Sequence, residues 1–172
     1  MKKIFLILIA ILLLVAGCGS EPKKELKNFG MDAQTFIKKF NEITLVANND
    51  FFLIKNPQIN NAEVRKVYQY EFNKDCIILI GELQDAKKVD YIATASVPNS
   101  PTNAAVFMVV HAAIVGVLHP DIPIDKRLDV LHKLKVLGSD KLKGLDETTT
   151  VGNVKYTAIE SQGVLKIGIE PK

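Results

Sequence analysis

The stretch VYQYEFNKDCIILIGELQDAKKVDYIATASV, residues 67–97, decides the fold. Val67-Tyr68-Gln69-Tyr70-Glu71-Phe72 alternates, so Tyr68, Tyr70 and Phe72 share one face of a strand. Asn73-Lys74-Asp75 has the chemistry of a turn. Cys76 to Leu83 is apolar at most positions on both faces, which marks a central strand, and Asp85-Ala86-Lys87-Lys88 turns the chain into Val89 to Val97. Parallel neighbours would need long crossovers between them. Three consecutive strands joined by short polar turns therefore form an antiparallel meander.

Outward from the meander the period changes. Pro98-Asn99-Ser100-Pro101 punctuates the chain, with Ser100 as N-cap and Pro101 in the first helical position. From Ala104 to Leu118 the helix is apolar on nearly every side apart from His111, and its 15 residues fall short of the ~20 that cross a bilayer, so it belongs in a core. His119-Pro120 ends it. A second helix is expected near Asp125 to Leu137, presenting Leu128, Leu131 and Leu134, with Gly138 as C-cap. Thr148-Thr149-Thr150 before Val151-Gly152-Asn153 reads as a strand entry and turn. The chain closes with a hairpin, Val154 to Glu160 and Val164 to Ile169, around Ser161-Gln162-Gly163.

Upstream, Asp32 caps a helix from about Ala33 to Val46, with Phe36, Phe40, Ile43 and Ala47 at helical spacing and Met31 and Phe36 placed as a hydrophobic staple. Phe51 to Ile54 reads as a short strand ended by Asn56-Pro57. The order implies an α+β fold, an antiparallel sheet of about five to six strands with helices packed on one face.

The first twenty residues, MKKIFLILIAILLLVAGCGS, carry the address. Lys2 and Lys3 form a positive n-region, Ile4 to Ala16 an apolar h-region, and Leu14-Val15-Ala16-Gly17-Cys18 follows. This leader resembles a bacterial lipoprotein signal with a signal peptidase II type lipobox at residues 14–18. The resemblance implies cleavage after Gly17 and a diacylglyceryl thioether on Cys18, often with a third, amide-linked chain. Two or more chains anchor stably where one binds reversibly. The chain then divides into a signal peptide (1–17), a lipidated cysteine and flexible tether (18–28) and a globular α+β domain (29–172). Gly19 follows the lipidated cysteine. In double-membraned bacteria an Asp there favours inner-membrane retention, so the resemblance points to the outer membrane if the cell has one.

Taking Lys2 and Lys3 from the 22 basic side chains leaves 20 against 19 acidic ones, a formal +1. That balance supplies no electrostatic footprint for nucleic acid, and neither does an exported address. Arginine is scarce: only Arg65 and Arg127 offer a planar fork for carboxylate or phosphate. Once Cys18 carries lipid, Cys76 stands alone, and its place in the run Cys76-Ile77-Ile78-Leu79-Ile80 reads as a small buried hydrophobe.

Chemistry has few places to reside. His119, Asp121, Asp125, Asp129 and His132 are ligand types at helical spacings, but the pattern matches no metal motif, and acidic residues suit a helix start. Ser96, Ser100, Ser139 and Ser161 lie in no nucleophile elbow or S-x-x-K pattern. His111 reads as a core histidine, or as a base facing a pocket. No cofactor, metal or catalytic residue is expected. The sequence supports an exported, lipid-anchored cell-envelope lipoprotein of the periplasmic side, acting as a non-catalytic binding or assembly module for an envelope protein or small ligand. An anchored immunity or inhibitor protein against a toxin or hydrolase fits the same features. The candidate binding surface is the aromatic set Tyr68, Tyr70 and Phe72 extended by Tyr91 and Tyr156, residues that equally suit a core.

Overall fold

Cys76–Leu83 forms the strand on which the meander is built, in a computed structural model that describes residues 26–46, 50–138 and 142–172. The leader, Cys18, most of the tether, Ala47 and Ser139 lie outside the described residues. The strands are β1 (Gln58–Asn61), β2 (Arg65–Asn73), β3 (Cys76–Leu83), β4 (Val89–Ser96), β5 (Asp146–Val151), β6 (Val154–Ser161) and β7 (Val164–Pro171). They form one seven-stranded sheet in the order β1-β2-β3-β4-β7-β6-β5, every neighbouring pair antiparallel. The helices are α1 (Ala33–Val46), α2 (Pro101–Leu118) and the short α3 (Asp129–Lys133).

Seven strands exceed the five to six expected. The extra ones are polar edges. β1 is exposed at every residue and exists by pairing with β2, Gln58 against Gln69. β5 carries the three threonines, whose branched side chains suit a half-buried strand without an apolar stripe. The expected strand at Phe51 to Ile54 is instead a 3-10 turn, Asp50–Phe52. The Asn41 side chain takes both backbone groups of Ile54, accepting from its N–H at 2.8 Å and donating to its C=O at 3.0 Å, which leaves that residue no ladder bonds to make.

The long helix begins at Pro101 as its cap dictates: Ser100 Oγ accepts from Asn103 N at 3.2 Å. Its 18 residues are long and apolar enough to cross a membrane, yet 56% are buried inside the fold. α1 packs on one side of it and the sheet on the other. Asn103 fastens its first turn, donating to Asp75 Oδ2 at 2.9 Å and to Asn99 Oδ1 at 2.8 Å. α1 is held by its own N-terminal donors. Asp32 Oδ1 accepts from Thr35 N at 2.7 Å, and the buried Glu82 accepts from Ala33 N at 2.7 Å.

The expected helix from Asp125 to Leu137 shrinks to a 3-10 turn, Ile124–Lys126, and the five residues of α3. Leu131 and Leu134 are still buried, so their apolar spacing docks the segment although the helix does not continue. A left-handed Lys135 (φ 55°) turns the backbone out of helix, and Val136 N donates to Leu131 O, so the chain leaves the helix before Gly138.

His111 is 1% exposed, packs against Phe107 with centroids 4.5 Å apart and ring planes tilted by 53°, and its Nε2 lies 2.7 Å from Thr94 Oγ1 on β4. Burial lowers the imidazole from its ordinary 6.5 to about 3. A histidine held neutral in the fold contributes stability that is complete above pH 6.5 and is lost as pH falls towards 3. The half-buried His119 is lowered by the same cause and acts in the same direction. Wild type minus His111→Leu should therefore lose stability as pH drops through 6.5, steepening to about 1.4 kcal/mol per pH unit below about pH 5.5, measured by urea unfolding. A pH-independent difference would show that His111 does not stay neutral in the folded state.

Candidate functional site

Because side chains alternate along a strand, the residues of β2, β3, β4, β6 and β7 that do not meet the helices form a second face. It is open to solvent: Leu79, Tyr91, Ala95, Thr157 and Lys166 are partly exposed and Ile159 is exposed. Its middle is made of small and apolar side chains: Leu79, Gly81, Ala93, Ala95 and Gly168, in register across β3, β4 and β7. A register shift at Gly81/Glu82 leaves Asp90 as an extra residue in β4 and brings it to this face beside Tyr91.

Tyr91 lies over the glycines. A Cβ on Gly168 would meet its hydroxyl at 3.1 Å, and one on Gly81 would meet Tyr91 Cβ at 3.5 Å and Arg65 Cδ at 3.3 Å. Two missing side chains thus make room for a ring and for the stem of an arginine. Arg65 pairs with Asp90 through Nη2 at 2.7 Å and through Nε at 2.8 and 3.0 Å. This is a fork-to-carboxylate pair of the strong kind. Next to it opens a concavity of about 380 Å³, lined by Arg65, Tyr91, Thr157, Ile159, Lys166 and Glu170. Burial and then the Glu170 carboxylate raise the Tyr91 hydroxyl above its ordinary 10.0, with Arg65 opposing them, so it stays a neutral hydrogen-bonding group. Across the rim Lys155 and Glu170 pair at 2.8 Å in the open. Ile159 is 42% exposed. The groove can take an apolar group on its floor and match charge or hydrogen bonds of either sign around it.

The five aromatics of the sequence reading do not assemble into one surface. Tyr68, Tyr70 and Phe72 face the helices: Phe72 lies 5.9 Å from Phe40 of α1 and 5.0 Å from Tyr70, and the Tyr68 hydroxyl is 3.5 Å from Glu82. Tyr156, 0% exposed, also points inward, its hydroxyl 2.9 Å from His119 Nε2. Tyr91 alone of the five reaches the open face. The alternation put Tyr68, Tyr70 and Phe72 on a common side, but which side depends on where α1 docks. The other groove residues come from strands far apart in sequence, and the signal that could have found them is the glycine inside each of two apolar strands.

Elsewhere Cys76 is enclosed and His119 engaged, whereas Asp121, Asp125, Asp129 and His132 are exposed and dispersed. Cys76 is fully buried and burial raises its thiol to about 12, which keeps it protonated. His119 is engaged by Tyr156, while Asp125 lies in the 3-10 turn and Asp129 and His132 in α3. Among the described residues no three of His, Cys, Asp and Glu are grouped to hold a metal ion.

Comparison with known proteins brings no relative to this geometry: no family model, no curated protein and no solved structure matches the chain.

The ion pairs of the groove should differ in their worth. Asp90 is 3% exposed and Arg65 18%, so Arg65→Met would strand a buried carboxylate and should destabilise the fold by about 3–5 kcal/mol. Lys155→Met, at an exposed pair, should stay within about 1 kcal/mol. Equal losses in denaturant titrations of the two variants would contradict this reading of the groove.

Proposed function

We propose that the protein is an exported, lipid-anchored cell-envelope module that binds a partner or small ligand without catalysis, through the open face of its sheet. The anchoring half of this reading rests on the lipobox-like Leu14-Val15-Ala16-Gly17-Cys18 and its positively charged, apolar leader. The binding half rests on one observation above the others, the groove beside Tyr91. Its apolar floor, glycine-made depth and mixed-charge rim offer what small-molecule and peptide sites use, a concave apolar surface with a few placed polar groups. The two sheet edges, β1 and β5, give a peptide partner a further route, through backbone pairing.

Photo-crosslinking in cells tests both halves together. A photoreactive residue at Ile159, on the open face, should give a discrete adduct that Tyr91→Ala weakens. The same residue at Lys38, on the exposed side of α1, should give none of that size. Cys18→Ser should remain unprocessed, incorporate no labelled fatty acid and lose the adduct. Full labelling of Cys18→Ser would overturn the anchor, and identical adducts from both positions would overturn the open face as the working surface. An adduct whose partner is a toxin or hydrolase would assign the same face to an immunity role.

A further inference from the structure

The second arginine sits on the opposite side of the molecule and has a different environment from Arg65. Arg127 follows the 3-10 turn Ile124–Lys126 and folds back onto α2, where its guanidinium lies against Gly116. A Cβ at position 116 would come within 2.5 Å of Nη1 and 2.6 Å of Cζ. Only glycine allows this seat. In the last turn of an 18-residue helix that glycine gives up at most about 1 kcal/mol of helix propensity relative to alanine. One hydrogen bond holds the fork in place, from Nε to Ile122 O at 3.3 Å. Its Nη groups have no acceptor, and the residue forms no ion pair, among the described residues. Arg65, by contrast, spends its fork on Asp90.

The guanidinium borders a concavity of about 380 Å³ between α1 and α2, lined also by Lys39, Glu42, Ile43, Val117 and Pro120. Two cations therefore face one carboxylate, and Glu42 already has Lys38 at 3.9 Å along the helix. Ile43 and Val117 supply an apolar wall. A half-buried, pre-positioned fork with unspent donors, a second cation beside it and an apolar wall is the chemistry that recognises an oxyanion on a partly apolar molecule.

We propose that this cleft is a binding site for a phosphate group, with the Nη donors of Arg127 as the fork, Lys39 as the second charge and Gly116 as the seat that aims the fork. The phosphate can belong to a soluble compound or to the headgroup of a membrane lipid, which a lipid-anchored domain would meet at close range. The site is separate from the groove beside Tyr91 and does not depend on it.

The test uses the full-length protein in neutral detergent, melted with increasing inorganic phosphate while chloride keeps ionic strength constant. Wild type should show a saturable rise in Tm. Arg127→Gln should weaken the apparent affinity about tenfold or more, the loss of charge-assisted hydrogen bonds. Gly116→Ala should do the same while its unliganded Tm holds or rises, because the new methyl displaces a flexible side-chain end in a helix that prefers alanine. A Lys74→Gln variant, exposed in the turn between β2 and β3 and outside both concavities, should respond as wild type does. Flotation with vesicles of phosphatidylglycerol or phosphatidylcholine, using residues 19–172 so that neither the apolar leader nor the lipidated cysteine is present, separates the sources. Recruitment by phosphatidylglycerol that Arg127→Gln abolishes assigns the headgroup; a phosphate response without recruitment assigns a soluble ligand. No phosphate response in wild type, or a response in Arg127→Gln or Gly116→Ala as strong as that of wild type, would overturn the site.

Discussion

The helix Pro101–Leu118 can give water almost nothing: after its first turn only His111 interrupts a run of Val, Ala, Ile, Met, Phe, Gly and Leu. Such a helix must be enclosed on more than one side, and the remaining elements are arranged to do it. The inward rows of β3, β4 and β7, among them Ile78, Ile80, Ile92, Leu165, Ile167 and Ile169, provide a floor that is at most 1% exposed. α1 lies alongside with Phe36 and Phe40, and Val130, Leu131 and Leu134 close the far end. The polar groups drawn in with the helix are satisfied locally, His111 by Thr94 and Asn103 by the Asn73–Asp75 turn and the loop before the helix. Each ties the helix to a strand, so hydrogen bonds set the register that apolar burial alone would leave loose.

Enclosing the helix from one side of the sheet leaves the other side to face outward, and there the chain uses absence of side chains as a device. Gly81 and Gly168 lower the surface enough for the Tyr91 ring and the Arg65 stem to lie across it, and Gly116 does the same for Arg127 on the helix layer. The two arginines of the chain are thus both seated on glycine, one with a carboxylate and one without. Position, more than residue type, separates a structural ion pair from a cation available to a ligand.

The elements that sequence made legible are those whose local pattern and tertiary environment agree. The meander, the helix over Ala33–Val46 and the closing hairpin each carry a clean period with turn or cap residues at both ends, and they stand where those signals put them. Illegible elements depend on partners. β1 has no apolar residue on its outward face and is a strand because β2 offers it an edge, while Asp125 to Leu137 has the leucines of a helix but is bent by docking. The groove was least legible of all. Its walls meet through the pairing of β4 with β7, Ala93 opposite Gly168, which joins segments separated by two helices and two strands. The side taken by Tyr68, Tyr70 and Phe72 was open for the same reason: alternation specifies a shared face, and only the docking of α1 says that it is the inner one.

The whole arrangement turns on Pro101–Leu118 being a helix of the fold's core, 56% buried within it. Hydrogen exchange on residues 29–172, prepared without the leader and in buffer free of detergent, addresses it most directly. The amides from Val106 to Val117 should be among the slowest in the chain and should exchange only with global unfolding. A chain that needs detergent to stay in solution, or a helix whose amides exchange well before those of β3 and β7, would contradict the account.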